Sequence, residues 1–265
     1  MLIAEPARTQ ADLNFSVLGF PVRISGWFWL GVLVIGWPMT LPGPNAASNE
    51  QLRNVILWLA AVFLSILIHE LGHALAFRRY GVSSRIVLYH FGGLAIPDAY
   101  SAGNERPQQR IVIAAAGPLL QLASAVVLIL IIIAFGRIVP LPGFVGNLLL
   151  QIDQAVERTP DHIENAPTRF FCLCYLWVSV YWAILNLIPI YPMDGGQISR
   201  ELFLLFDRRD PIKHSLMVSI GFSIAGVLWA FSTSSHFMAF LFAYLGFSSY
   251  TTLNAYTGRS MGQRW

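Results

Sequence analysis

From Ser215 to Gly258 the chain carries no acidic or basic residue. A run of that kind suits lipid better than water. In lipid every backbone polar group must be satisfied within the protein, so such segments cross as helices or closed barrels. This run is too long for one crossing helix, and the polar cluster Ser232–His236 (STSSH) divides it into two. Four more apolar segments precede it: Trp27–Leu41, Val55–Phe77, Ile111–Phe135 and Phe170–Ile188. The expected fold is therefore an all-α polytopic membrane protein of about six transmembrane helices. Composition agrees, with 55% hydrophobic and only 12% charged residues, about half the charged share usual in soluble domains.

Alternate loops of six spans fall on opposite sides. One side holds the N-terminus, Arg78–Arg110, Arg200–Lys213 and the C-terminal tail, with thirteen of the seventeen Lys/Arg residues. The positive-inside rule makes that side cytoplasmic and puts both termini there. Phe15–Ile24 and Arg85–Phe91 are rich in β-formers and lie on the same side, which predicts a small β-element near the cytoplasmic face. On the outer side Val145, Leu148, Leu149, Ile152 and Val156 recur at helical spacing, the pattern of an amphipathic helix packed at the interface. The first fourteen residues are polar and no cleavable leader is evident, so the N-terminus is expected to be retained. The net charge of +3 is small and the basic residues are scattered, so no nucleic-acid partner is expected. Cys172 and Cys174, two apart on a helix, point to different faces and read as small buried hydrophobes. With no linker or repeat in view, residues 1–265 read as a single integral-membrane domain with its core motifs in 55–200.

The only charge in the second span is Glu70, within His69-Glu70-Leu71-Gly72-His73. This spacing puts two imidazoles one helical turn apart on one face, where both can reach one zinc ion. The glutamate between them lies beside the metal and can deprotonate a bound water. A catalytic zinc needs a third protein ligand and one open position. Apart from Glu70, the one acidic residue embedded in apolar sequence is Asp194, in Asn186-Leu-Ile-Pro-Ile-Tyr-Pro-Met-Asp194-Gly195-Gly196. Pro189 and Pro192 unwind the end of the fourth span, and the two glycines are expected to let the chain turn sharply after the aspartate. Topology brings the motifs to one depth, since the second and fourth spans both run inward and carry these residues near their inner ends. His73 lies five residues before Arg78, roughly 7 Å along a helix, so the metal is expected just inside the cytoplasmic boundary.

These motifs resemble the site-2 protease family of intramembrane zinc metalloproteases. The match rests on HELGH, on NLIPIYPMDGG, and on two weaker marks between them, Phe91-Gly92-Gly93 and Ala116-Gly117-Pro118. The resemblance implies that His69, His73 and Asp194 bind one Zn2+ and that Glu70 is the catalytic base. It further implies that Asn186 binds the substrate or steadies the reacting carbonyl. Gly92 and Gly93 resemble a family loop that dips towards the active site and meets the substrate. One departure is Gln121, where relatives often carry Asn, which puts a polar role at that position in doubt. The loops are short, so the chain resembles a minimal member without PDZ or CBS domains.

The implied activity is hydrolysis of peptide bonds in or near transmembrane segments of membrane-anchored substrates. The implied location is a bacterial inner (plasma) membrane, multi-pass, with a transmembrane protein substrate and the lipid bilayer as partners. Arg85–Phe91 is a candidate edge for an extended substrate. A different class of function, a metal transporter or sensor, would use the same His/Asp site. It would need polar groups across the whole span, and the outer halves of the second and fourth spans are apolar. The remaining histidines, His90, His162, His214 and His236, have no second ligand at helical spacing and read as interfacial.

Overall fold

A computed structural model describes residues 7–42, 49–89, 92–98, 105–155, 161–207 and 209–262. It opens on a hairpin of β1 (Leu13–Val17) and β2 (Phe20–Ile24). Leu18 and Gly19 form its two-residue turn, both with positive φ (51° and 84°), as the tightest hairpin turns require. Helices α1 (Gly26–Thr40) and α2 (Glu50–Arg79) follow. The chain then returns to the sheet as β3 (Ser84–Tyr89), parallel to β2, and β4 (Gly92–Pro97), antiparallel to β3. The four strands lie in sequence order.

The expected sheet is present and one strand larger. Gly92-Gly93, read from sequence as a loop, begin β4 instead. That places Arg85–Tyr89 between two partners, so this strand offers no free edge to a substrate. The edge on the β4 side belongs to Gly92–Pro97. Phe20, Val22, Ile24, Ile86 and Leu88 are buried with Phe28 and Val32 of α1 and Trp58, Ala61 and Ile66 of α2. This core packs the sheet against α1 and α2.

The remaining elements are helical. They are α3 (Pro107–Ala134), α4 (Gly143–Ala155), α5 (Ala166–Trp177), a π-helical turn Val178–Trp182, α6 (Ala183–Leu187), α7 (Asp194–Phe206), α8 (Pro211–Ser232) and α9 (His236–Gly262). Among the described residues four helical segments are long and apolar enough to cross a membrane: α2, α3, the continuous run Ala166–Leu187, and α8. The other two segments read as spans are helical as well. Helix α1 has only 15 residues, and α9 has 27 but turns polar towards its end (TTLNAYTGR). Large apolar side chains such as Leu119, Leu130, Ile224 and Leu228 face outward, as they would towards lipid.

Helix α2 is the axis, packed against α1, α3 and α5. Helix α9 is held chiefly by α8. There Gly226 admits the Phe242 ring, which a Cβ would meet at 2.6 Å. Helix α4 lays Val145 and Leu149 on a core of Leu141, Leu176 and Val180, while Phe144 and Leu148 point away. Val156 and the side chain of Ile152 lie outside the described residues. The cysteines separate as expected, Cys174 into the core around α2 and Cys172 into the one beneath α4.

Candidate metal centre

His69 and His73 sit one turn apart in the C-terminal half of α2 and are 5% and 8% exposed. Asp194 comes to them from another part of the chain. After α6 the backbone leaves the helix at Ile188, and Asp194 is the first residue of α7. In the unwound stretch Ile190 is buried and the rest is half-buried, with Tyr191, Pro192 and Met193 lining a cavity, a setting in which irregular backbone is tolerated at membrane depth. The Tyr191 N–H donates to Ser219 Oγ of α8 at 3.1 Å, and its carbonyl accepts from Ser249 Oγ of α9 at 3.1 Å. Arg110 of α3 pairs with Glu201 of α7 at 3.1 Å and fixes the helix that Asp194 begins.

Gly195 and Gly196 do not form the expected sharp turn. They are the first turn of α7, pressed against the unwound backbone. A Cβ on Gly195 would lie 2.2 Å from the Leu187 carbonyl oxygen, and one on Gly196 2.4 Å from the Tyr191 nitrogen. The glycines are there for close approach, which a sequence pattern does not reveal.

The three side chains converge. His69 Nε2 and His73 Nε2 are 3.1 Å apart, and Asp194 Oδ2 and Oδ1 lie 3.1 and 3.4 Å from them. The outer nitrogens fix the tautomers. His73 Nδ1 lies 2.7 Å from the Ile113 carbonyl, and His69 Nδ1 lies 2.9 Å from Gln121 Oε1. Both neighbours only accept, so both Nδ1 atoms donate and a neutral ring keeps its Nε2 lone pair. Two lone pairs and a carboxylate this close repel unless positive charge lies between them. Ligands at about 2.0–2.1 Å from a tetrahedral ion stand roughly 3.3 Å apart, so the spacing fits one small cation. Among the described residues this is the group of His, Cys, Asp or Glu able to hold a metal.

Close helix crossing makes room for the rings. A Cβ on Gly117 of α3 would lie 2.2 Å from His73 Nε2, and one on Gly72 2.3 Å from the Ala116 carbonyl. Ala116-Gly117-Pro118, a bare mark in the sequence, is thus the surface on which the metal ligands rest. Gln121, whose polar role the sequence put in doubt, is fully buried and touches a ligand.

Glu70 is 4% exposed, and its Oε2 is buried without a hydrogen-bond partner among the described residues. Strand β4 closes over it. The Ala95 backbone amide faces the carboxylate, and a Cβ on Gly93 would fall 2.3 Å from Glu70 Cγ. Gly92 has φ +146°, a conformation L side chains rarely adopt. Tyr89 lies nearby in the sheet. Burial first, and the Glu70 charge second, push its phenol above the usual range, so it stays protonated.

Glu70 and the triad border a cavity of about 980 Å³. Its other walls are β4, Trp182 and Asn186 of the π-turn and α6, Met193, and the apolar face of α9 with Phe240 and Tyr244. Asn186 donates from Nδ2 to the Trp182 carbonyl at 3.0 Å, and the second hydrogen of that amide has no partner among the described residues. The structure therefore gathers His69, Glu70, His73, Asp194, Asn186, Gly92 and Gly93 around one cavity. His90 lies outside the described residues, and His214 is paired with Asp207, away from the cavity.

Fold and site together define a mostly helical protein with membrane-length apolar helices and a buried His–His–Asp triad positioned to bind one metal ion. The chain belongs to peptidase family M50, whose sequence model matches residues 57–228. A zinc metalloprotease of Methanocaldococcus jannaschii is 27% identical over 239 residues, 88% of this chain and 58% of its own length. Rip3 of Mycobacterium tuberculosis is 31% identical over 197 residues, 69% of this chain and 41% of its own. The chain thus spans about half the length of these relatives. Its fold is similar to that of the site-2 protease from Methanocaldococcus jannaschii, with a TM-score of 0.50 at 20% identity, covering 91% of this chain and 95% of that one.

Proposed function

We propose that this chain is an intramembrane zinc endopeptidase with His69, His73 and Asp194 as ligands and Glu70 as general acid–base. The observation that carries the reading is the convergence of two Nε2 lone pairs and one carboxylate beside a buried Glu70 oxygen that has no hydrogen-bond partner among the described residues. The site-2 protease resemblance, the M50 match and the name of the archaeal relative support zinc as the ion. When bound, zinc supplies Lewis-acid chemistry, acidifying water and polarising a carbonyl.

The chain's own residues do the rest. Glu70 accepts the proton of the attacking water at Oε2 and delivers it to the leaving amide nitrogen. Burial beside β4 keeps bulk water from that carboxylate. Asn186 offers its second amide hydrogen to the scissile carbonyl. A transmembrane helix hides its peptide bonds, so the substrate must unwind before it reacts. The free side of β4 faces the cavity and suits an extended segment, replacing Arg85–Phe91 in that role.

The proposed membrane arrangement is one integral-membrane domain of six spans with both termini on the cytoplasmic side. The asymmetry of basic residues and the six helices in the expected places support it. The transporter reading lacks a ladder of metal-binding groups, since the described residues hold one such group.

The test is Glu70→Gln in reconstituted vesicles with a membrane-embedded substrate. The variant should keep its zinc and lose cleavage by about 10²–10⁴-fold. Normal cleavage would remove Glu70 from the chemistry, and zinc flux across the vesicle would favour the transporter.

A further inference from the structure

Gln121 is the only amide or charged side chain between Ile111 and Phe135. It is fully buried, where an amide is costly unless each of its groups is paired. Both of its polar atoms are paired. Gln121 Oε1 lies 2.9 Å from His69 Nδ1, and Gln121 Nε2 donates to Ser65 Oγ at 2.8 Å. Ser65 accepts that bond, so its own hydrogen is free to donate to Ser179 Oγ, 2.8 Å away. Ser65 and Ser179 are both fully buried. The chain of bonds joins α3, α2 and the π-helical turn within the Ala166–Leu187 segment.

Direction matters because an amide has one accepting and one donating end. Turned the other way, Gln121 would present N–H groups to His69 Nδ1. The imidazole would then have to carry its hydrogen on Nε2, which could no longer bind a cation. Ser65 pairs the far end of the amide, and Ser179 pairs Ser65, so the side chain is held in place beside His69. His73 has a backbone carbonyl for the same task, which cannot flip. His69 lacks one and depends on a side chain.

We infer that Gln121, held in place by Ser65 and Ser179, is a positioning residue that accepts from His69 Nδ1–H and so keeps His69 in its metal-binding tautomer. This rests on the metal reading above. The partner of a ligand's second nitrogen commonly changes metal affinity by about 10–100-fold. Glutamate at this position keeps an acceptor for His69 Nδ1–H, and Ser65 can turn its hydrogen to meet it. Leucine or methionine removes the acceptor at similar volume.

The experiment measures zinc affinity of the full chain by chelator competition, and visible absorption after cobalt substitution, alongside thermal unfolding of the metal-free protein. Gln121→Leu should bind zinc about 10–100-fold more weakly, with an altered cobalt spectrum. Gln121→Glu should keep wild-type affinity, and Ser65→Ala should fall between. Gln121→Met, unbranched, takes the place of leucine if that variant does not fold. Wild-type affinity in the folded apolar variant would overturn the inference, as would equal weakening by glutamate and leucine. Absence of zinc binding by the wild-type chain would instead overturn the metal reading itself.

Discussion

The two sides of the cavity are built on opposite plans. The ligand side, α2 against α3, is polar, buried and tightly fitted: two histidines have both ring nitrogens engaged, and two glycines bring the helices into contact. The opposite side, β4 and α9, is apolar and only partly buried, and α9 leans chiefly on α8. A metal ion demands fixed distances, and the proposed membrane-embedded substrate would demand space. The molecule keeps those demands on separate elements, so each can be disturbed without the other.

The largest effect should come from Gly117→Ala. Its Cβ would lie 2.2 Å from His73 Nε2, displacing a ligand, so zinc and cleavage should vanish together in metal analysis and a proteolysis assay. Gly93→Ala attacks the other side of the same site. Its Cβ would meet Glu70 Cγ at 2.3 Å, and cleavage should drop by on the order of 10²-fold or more while zinc stays bound. Zinc loss in this second variant would show that the two sides are not separable.

Ser249→Ala leaves the part-buried Tyr191 carbonyl without this donor. It should lower stability by about 1–3 kcal/mol and weaken zinc modestly through Asp194, as read by unfolding and chelator competition. Phe240→Ala, on the 71%-exposed part of the α9 wall, should have the smallest effect. It should change KM or the range of substrates cut and leave metal affinity alone.

How much of this was legible in the sequence follows from the range of the interactions. His69, Glu70 and His73 are set by one helical repeat, which sequence displays directly. Asp194 was found by elimination among few acids, and its arrival at the histidines was read from topology. What stayed hidden depends on contacts between distant segments. Gly195 and Gly196 resembled a turn because the facing backbone of Leu187 and Tyr191 cannot be seen in a string. Strand β4 resembled a loop because its pairing with β3 is settled in the sheet, beside Glu70. Gln121 did leave a signal, a lone amide in an apolar span, but its partners are 52 and 56 residues away.

The central claim is that two imidazoles of one helix and a carboxylate from a distant one share a single ion. X-ray absorption at the zinc edge, with metal content, tests it most directly on the detergent-purified full chain and on Asp194→Ala. The account predicts one zinc per chain with two imidazole nitrogens and oxygen ligands at about 2.0–2.2 Å, and a changed or lost signal in the variant. An unaltered zinc environment in Asp194→Ala, or sulfur among the ligands, would contradict it.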